Sequence, residues 1–143
     1  MTEYWNKSVQ TGASLVDGWY RSGDAGHLDE QGYLYLADRV KDMIVTGGEN
    51  VYSIEVENAI SSHPHVIQVA VIGLPDEWWG ETVHAVVVCD PEATNQADLM
   101  AHARKTIAGF KVPKSWTLQS DPLPLTAAGK VLKRKLRERH GVC

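Results

Sequence analysis

The chain has 143 residues, 43% of them hydrophobic and 22% charged, and a formal net charge of −4, which suits one globular domain able to bury a core of its own. An acidic balance argues against a general binder of nucleic acid or of anionic membranes. Cys89 and Cys143 are too few and too badly spaced for a disulfide framework or a zinc knuckle, and the longest apolar runs are of strand length, so the expectation is a cytoplasmic protein with no transmembrane segment.

Residues 1–16 are polar and lack clear periodicity. Arg21-Ser22-Gly23-Asp24 reads as a turn entering a short strand, Ala25 to Leu28, and Asp29-Glu30-Gln31-Gly32 turns the chain back into Tyr33 to Ala37, a half-buried strand by its period of two. That pattern breaks at Asp38-Arg39-Val40-Lys41-Asp42. Met43-Ile44-Val45 starts a new strand ending in Thr46 and Gly47-Gly48, and after a short turn Ser53 is placed to cap a helix running to Ser62. Glu55 and Glu57 lie in its first turn, where they suit the helix dipole; Val56, Ala59 and Ile60 share one face, and His63-Pro64 stops it. Val66 to Ile72 is an apolar strand ending at Gly73-Leu74-Pro75, Asp76 to Glu81 a loop, and Thr82 to Cys89 another strand. Asp90-Pro91 turns the chain, and a helix from Asn95 or Gln96 through Ile107 carries Leu99, Ala103 and Ile107 at four-residue spacing. Gly109 to Pro113 ends it. Trp116 to Leu118 is a short strand, Asp121 to Lys130 a proline-bearing loop, and Val131 to His140 a basic terminal helix. Strands and helices without strict βαβ alternation predict an α+β fold: a small domain with a central, mainly antiparallel sheet flanked by helices, preceded by a β-hairpin.

Several residues can carry chemistry, and each has a plainer alternative. Asp24, displayed on a turn, can accept two charge-assisted hydrogen bonds from adjacent hydroxyls, or simply form the turn. Arg39 offers a planar fork for ribose oxygens or phosphate, or a surface ion pair with Asp38 or Asp42. Gly47-Gly48 lets the main chain approach a ligand closely, or makes a tight turn between strand and helix. Lys130, following Ala128-Gly129, is a long point charge in a flexible setting, or the first of six basic residues of which Lys133, Arg134, Lys135, Arg137 and Arg139 form a solvated helix face. His63 and His65 lack a third ligand, so no metal site is expected. Trp78-Trp79 reads as an exposed contact patch or, in preference, as loop packing.

Three stretches carry a resemblance: Trp19-Tyr20-Arg21-Ser22-Gly23-Asp24, the run from Gly32 to Glu57, and Pro124-Leu125-Thr126-Ala127-Ala128-Gly129-Lys130. In this order, across almost the whole chain, they resemble the acyl-activating, AMP-forming ligases, which include acyl-CoA synthetases, peptide-synthetase adenylation domains and luciferases. Ser22 stands where the family usually has Thr and keeps the hydroxyl. The resemblance implies that the chain is the last quarter of such an enzyme: residues 1–40 the hairpin that ends the large N-terminal domain, poorly ordered or self-associating without it, and residues 41–143 the C-terminal lid domain. It implies ATP with Mg2+, a carboxylic acid (a fatty acid above all) and coenzyme A as substrates. Lys130 would be the catalytic residue, with Asp24, Arg39 and Lys130 binding the nucleotide and Lys41 serving as hinge. Gly47, Gly48, Glu49 and Lys111 would contact CoA, because Gly47-Gly48-Glu49-Asn50-Val51-Tyr52 is similar to the acyl-CoA ligase version of the loop. Nothing here resembles the phosphate loop, so the chain alone is expected to be inactive. The alternatives are a stand-alone binding or regulatory module, docking its basic helix on a partner or on nucleic acid, and an adenylation lid serving another acceptor.

Overall fold

In the computed structural model, which describes residues 2–90 and 92–141, the chain divides into two units, Met1–Lys41 and Asp42–Cys143. Pro91 and Cys143, named above for a turn and for cysteine spacing, lie outside the described residues.

The first unit holds helix α1 (Ser8–Ser14), a two-residue ladder of β1 (Leu15–Val16) with β2 (Trp19–Tyr20), and a hairpin of β3 (Asp24–Leu28) with β4 (Leu34–Arg39). Helix α1 corrects the expectation of an irregular start. It has no buried residue and no side-chain cap, so the apolar period that announces a helix is absent. Local polar bonds take its place: Thr11 Oγ1 accepts the Tyr4 N–H at 3.0 Å and donates to the Lys7 carbonyl at 2.9 Å. In the hairpin, Asp29 Oδ1 accepts the N–H groups of Gln31 and Tyr33 and fixes the turn. Strand β4 runs two residues into the charged break, which closes as a 3-10 turn over Val40–Asp42. None of the residues from 2 to 41 is buried.

The second unit is built on one sheet in the order β6-β5-β8-β7, with β9 also paired to β8. Strands β5 (Ile44–Thr46) and β6 (Glu49–Val51) form a hairpin; β7 (Val66–Asp76) and β8 (Gly80–Cys89) form a long one. Strand β9 (Ser115–Gln119) lies parallel to β8 along His84 to Val88, while β5 meets β8 at Gly80. Both faces of the sheet are covered, which is why β8 reads as a continuous apolar run over Ala85–Cys89 and not as an alternation. On one face Val71, Val83, Ala85 and Val87 pack with Val56 and Ile60 of α2 (Ser53–Ser61) and with Leu99 and Ala103 of α3 (Gln96–Ala103). On the other, Ala70, Ile72, Val86 and Val88 pack with Leu123 and with Leu136 of α4 (Lys133–Arg139).

The structure corrects several expectations in this unit. Strand β6 occupies what reads as a short turn, because three residues are too few to show a period. Ser53 does not cap α2: Tyr52 holds the cap position without a side-chain bond, and Ser53 is buried one residue inside. The loop over Asp76 to Glu81 shrinks to Glu77–Trp79, where Asp76 Oδ1 accepts the N–H groups of Trp78 and Trp79, both at 2.9 Å. Those two bonds hold the Asp76 carboxyl below the usual carboxylate range. Asn95 does cap α3, accepting from Ala97 and Asp98, but α3 ends at Ala103 and not at Ile107. There Thr106 Oγ1 donates to the Ala103 carbonyl and competes with a further helical turn, although Ile107 stays buried.

Candidate functional site

The candidate residues fall in both units, and within each the backbone decides what they can reach. In the first unit Asp24 and Arg39 face each other across the last rung of the β3–β4 hairpin, with Arg39 Nε 3.4 Å from Asp24 Oδ1. Arg39 thus pairs across the hairpin with Asp24, Asp42 pairs with Arg137, and Asp38 accepts the Arg39 main-chain N–H at 2.7 Å. An exposed carboxylate acceptor beside a guanidinium donor matches a pair of vicinal hydroxyls, one accepting and one donating.

In the second unit, Gly47 and Gly48 are the two central residues of the β5–β6 hairpin, with φ of +59° and +83°, the conformation that a two-residue turn of this hand demands. The turn therefore joins two strands, not a strand and a helix. It also serves close approach: a Cβ on Gly47 would lie 2.7 Å from Trp79 Cε3. The Gly47 N–H donates to the Trp79 carbonyl at 2.9 Å, and the Lys114 ammonium sits 4.0 Å above the Trp79 ring. Trp79 packs on the turn while remaining 51% exposed, whereas Trp78 is 89% exposed, which corrects its reading as packing. Glu49 follows the turn, exposed at the start of β6.

Lys130 ends a closed loop. The Thr126 N–H donates to the Lys130 carbonyl at 2.7 Å, the Lys130 N–H donates to Thr126 Oγ1 at 3.1 Å, and the Gly129 N–H donates to the Thr126 carbonyl at 2.9 Å. Gly129 turns the chain at φ +76°, Leu125 bridges to Val131, and the Leu132 N–H donates to the Pro124 carbonyl at 2.8 Å. The backbone under Lys130 is therefore fixed, which corrects its reading as a flexible setting. Its side chain is exposed, and among the described residues no acid holds the ammonium.

Its basic neighbours are spent differently. Lys133, expected on a solvated face, lies 2.7 Å from Glu57 Oε1 and donates to Ser53 Oγ at 2.6 Å, with the Lys133 and Glu57 side chains each 15% exposed. Glu57 Oε1 also accepts the Val71 N–H. Arg137, 24% exposed, donates to Asp42 Oδ1 at 3.1 Å. These two are anchors of α4, while Arg134, Lys135 and Arg139 remain exposed. Lys111 is held by both carboxylate oxygens of Glu55 at 2.7 Å. Lys41 lies in the 3-10 turn at the boundary of the units. Sequence reasoning missed Thr126, whose only signal is a hydroxyl four residues before the lysine, and Lys114, whose partner is distant in the chain.

His102 joins the histidine pair, with its ring 5.0 Å from that of His63 and its Nε2 2.7 Å from Ser62 Oγ. Burial and the neighbouring imidazoles of His102 and His65 lower the His63 pKa. Among the described residues no group of three His, Cys, Asp or Glu is placed to hold a metal ion, and no helix is long and apolar enough to cross a membrane.

Residues 55–130 match the family described as the AMP-binding enzyme C-terminal domain. The chain is 44% identical over 140 residues to the long-chain-fatty-acid–CoA ligase FadD13 of Mycobacterium tuberculosis, covering 98% of this chain and 28% of that protein. It is 45% identical over 140 residues to the fatty acid–[acyl-carrier-protein] ligase ScoC of Streptomyces coeruleorubidus, covering 97% and 27%. Among solved structures, o-succinylbenzoate CoA synthetase from Bacillus subtilis, in complex with its acyl-adenylate intermediate, superposes with a TM-score of 0.88 at 36% identity, over 96% of this chain and 28% of that one. The chain therefore spans little more than a quarter of the length of these relatives.

Proposed function

The chain belongs to the family of AMP-binding enzyme C-terminal domains, and on that premise we propose that it is the lid of an acid–thiol ligase that makes acyl-CoA through acyl-AMP. The observation that carries this reading is Lys130: a fixed backbone presenting an ammonium that no acid of the described residues neutralises. In the first half-reaction a carboxylate oxygen attacks the α-phosphorus of ATP, and the bond to the pyrophosphate oxygen breaks. Negative charge builds on the transferring oxygens, and a preorganised ammonium there lowers the barrier by about 3 kcal/mol, roughly a hundredfold in rate. Asp24 and Arg39 take the ribose hydroxyls. Mg2+ accompanies ATP and is held mostly by the large domain.

In the second half-reaction the lid turns about Lys41, withdraws Lys130 and presents the Gly47-Gly48 turn and Glu49 to the thiol. Sulfur attacks the acyl carbon, the bond to the AMP oxygen breaks, and AMP leaves as the thiol proton is lost. Lys111 contacts a CoA phosphate by exchanging Glu55 for it. In this reading residues 1–40 are the final piece of the large domain, whose absence leaves the 143-residue chain inactive and its hairpin free to self-associate. The acid is a fatty acid, as in the name of FadD13, and the location is cytoplasmic. ScoC, named for an acyl-carrier-protein acceptor, marks the alternative that the acceptor is a carrier-borne thiol.

The test supplies the chain with the large domain of an acyl-CoA ligase and measures ATP–pyrophosphate exchange with a fatty acid. Activity should require both parts and fall at least a hundredfold with Lys130→Ala. Unchanged exchange in that variant sinks the reading, and a preference for carrier protein over CoA in the second step reassigns the acceptor.

A further inference from the structure

We propose that Thr126 is a positioning residue for Lys130 and that its hydroxyl, more than the rest of the loop, sets the direction in which the ammonium points. This rests on the reading of Lys130 given above.

Three of the hydrogen bonds that close the loop belong to Thr126, two through its main chain and one through Oγ1. The main-chain pair survives any substitution. The third bond runs from the Lys130 N–H to the hydroxyl and differs in kind: it is a side-chain contact made to the main chain of the residue that must be aimed. It fixes the peptide plane from which the Lys130 Cα–Cβ bond departs. A half-buried Thr126 with a β-branched side chain has little rotamer freedom, so the oxygen is held in place in advance. On the far side, Val131 bridges to Leu125 and Lys133 is tied to Glu57 and Ser53. Lys130 is thereby gripped from both neighbours while its own side chain is left unbound. The four methylenes of a lysine are floppy, so most of the placement available to the protein lies in the backbone beneath them. Loss of the hydroxyl should therefore leave substrate binding intact and misdirect the ammonium only when charge develops.

The experiment compares Thr126→Val, which keeps shape and main-chain bonds, with Thr126→Ser, which keeps the hydroxyl. In the 143-residue chain, amide exchange of Lys130 should quicken in the valine variant, with no change in melting temperature, and recover in the serine variant. In the reconstituted enzyme, kcat for adenylate formation should fall about fivefold in the valine variant, as misplacement of a charge felt in the transition state, with KM for ATP unchanged and the serine variant restored. If Lys130→Ala abolishes adenylation while Thr126→Val runs at the parent rate, this inference is wrong and the role of Lys130 stands. An equal loss in the serine variant, or a matching fall in melting temperature, also overturns it. If Lys130→Ala itself retains the full rate, the functional reading fails and takes this one with it.

Discussion

His84 shows how a single buried side chain writes a pH dependence into the second unit. It is 4% exposed on β8, its Nδ1 lies 2.7 Å from Ser115 Oγ and its Nε2 3.1 Å from Thr117 Oγ1, and the His140 ring stands 4.4 Å away. Burial first, and the His140 charge second, push its pKa down from 6.5 to about 4. The unfolded chain thus takes a proton near pH 6.5 that the folded chain refuses until about pH 4. This contribution to stability is fully present above pH 6.5 and drains away as pH falls through that window. It amounts to about 1.4 kcal/mol per pH unit at most and on the order of 3 kcal/mol in total. Melting temperature measured from pH 7 to 4 should drop, and His84→Gln should be less stable at pH 7 yet flatter across the window. A variant with the same slope as the parent would place the acid sensitivity elsewhere. At this scale the sequence nominates Lys130 and Asp24 as candidates because short motifs surround them. It could not show that Arg39 answers Asp24, fifteen residues away, because a register with a bulge between Ala25 and Gly26 decides which residues meet.

Helix α4 shows what happens to charge at the level of an element. Its basic residues look alike in the sequence, but position on the helix separates them into anchors and solvated side chains. Arg137 reaches Asp42 with both side chains largely covered, while Arg134 reaches Glu138 along the exposed face, 81% and 49% exposed. Removing a covered partner strands a desolvated charge, whereas an exposed pair at this spacing contributes little. Arg137→Met should lower stability by about 2 kcal/mol, read as a lower urea midpoint at constant slope, and Arg134→Ala should change stability by less than about 0.5 kcal/mol. A small effect for Arg137→Met, similar to that of Arg134→Ala, would mean that the Arg137–Asp42 pair does not hold α4. The same reasoning explains which elements were readable. Strands β7 and β8 and helix α2 announce themselves by apolar runs and periods, since burial is what ordered their sequences. Helix α1 and strand β6 are set by hydrogen bonds within a few residues, which leave no hydrophobic pattern to read.

For the whole molecule, the distribution of buried residues matters more than the number of elements. Among the described residues every buried hydrophobic one, from Ile44 to Leu136, belongs to the second unit, which has a core on each face of its sheet. The first unit displays Trp19, Leu28, Tyr33, Leu34 and Leu36 instead, and two-stranded hairpins are marginal in water. Unfolding free energy should therefore reside in residues 42–143. A chain beginning at Asp42 should melt within about 2 °C of the full chain, because the truncation removes no fully buried residue and so little of the stability that buried apolar area provides. Chymotrypsin at low ratio should cut first around Tyr33 and Tyr35 in a monomer verified by light scattering, leaving the second unit whole. The same hairpin carries the Asp24–Arg39 pair, so on the function proposed above one exposed surface serves both the nucleotide and the large domain. Complete protection of residues 1–41 in a verified monomer, or a drop of 10 °C on truncation, would show that the first unit shares a core with the second and that the chain is one cooperative body.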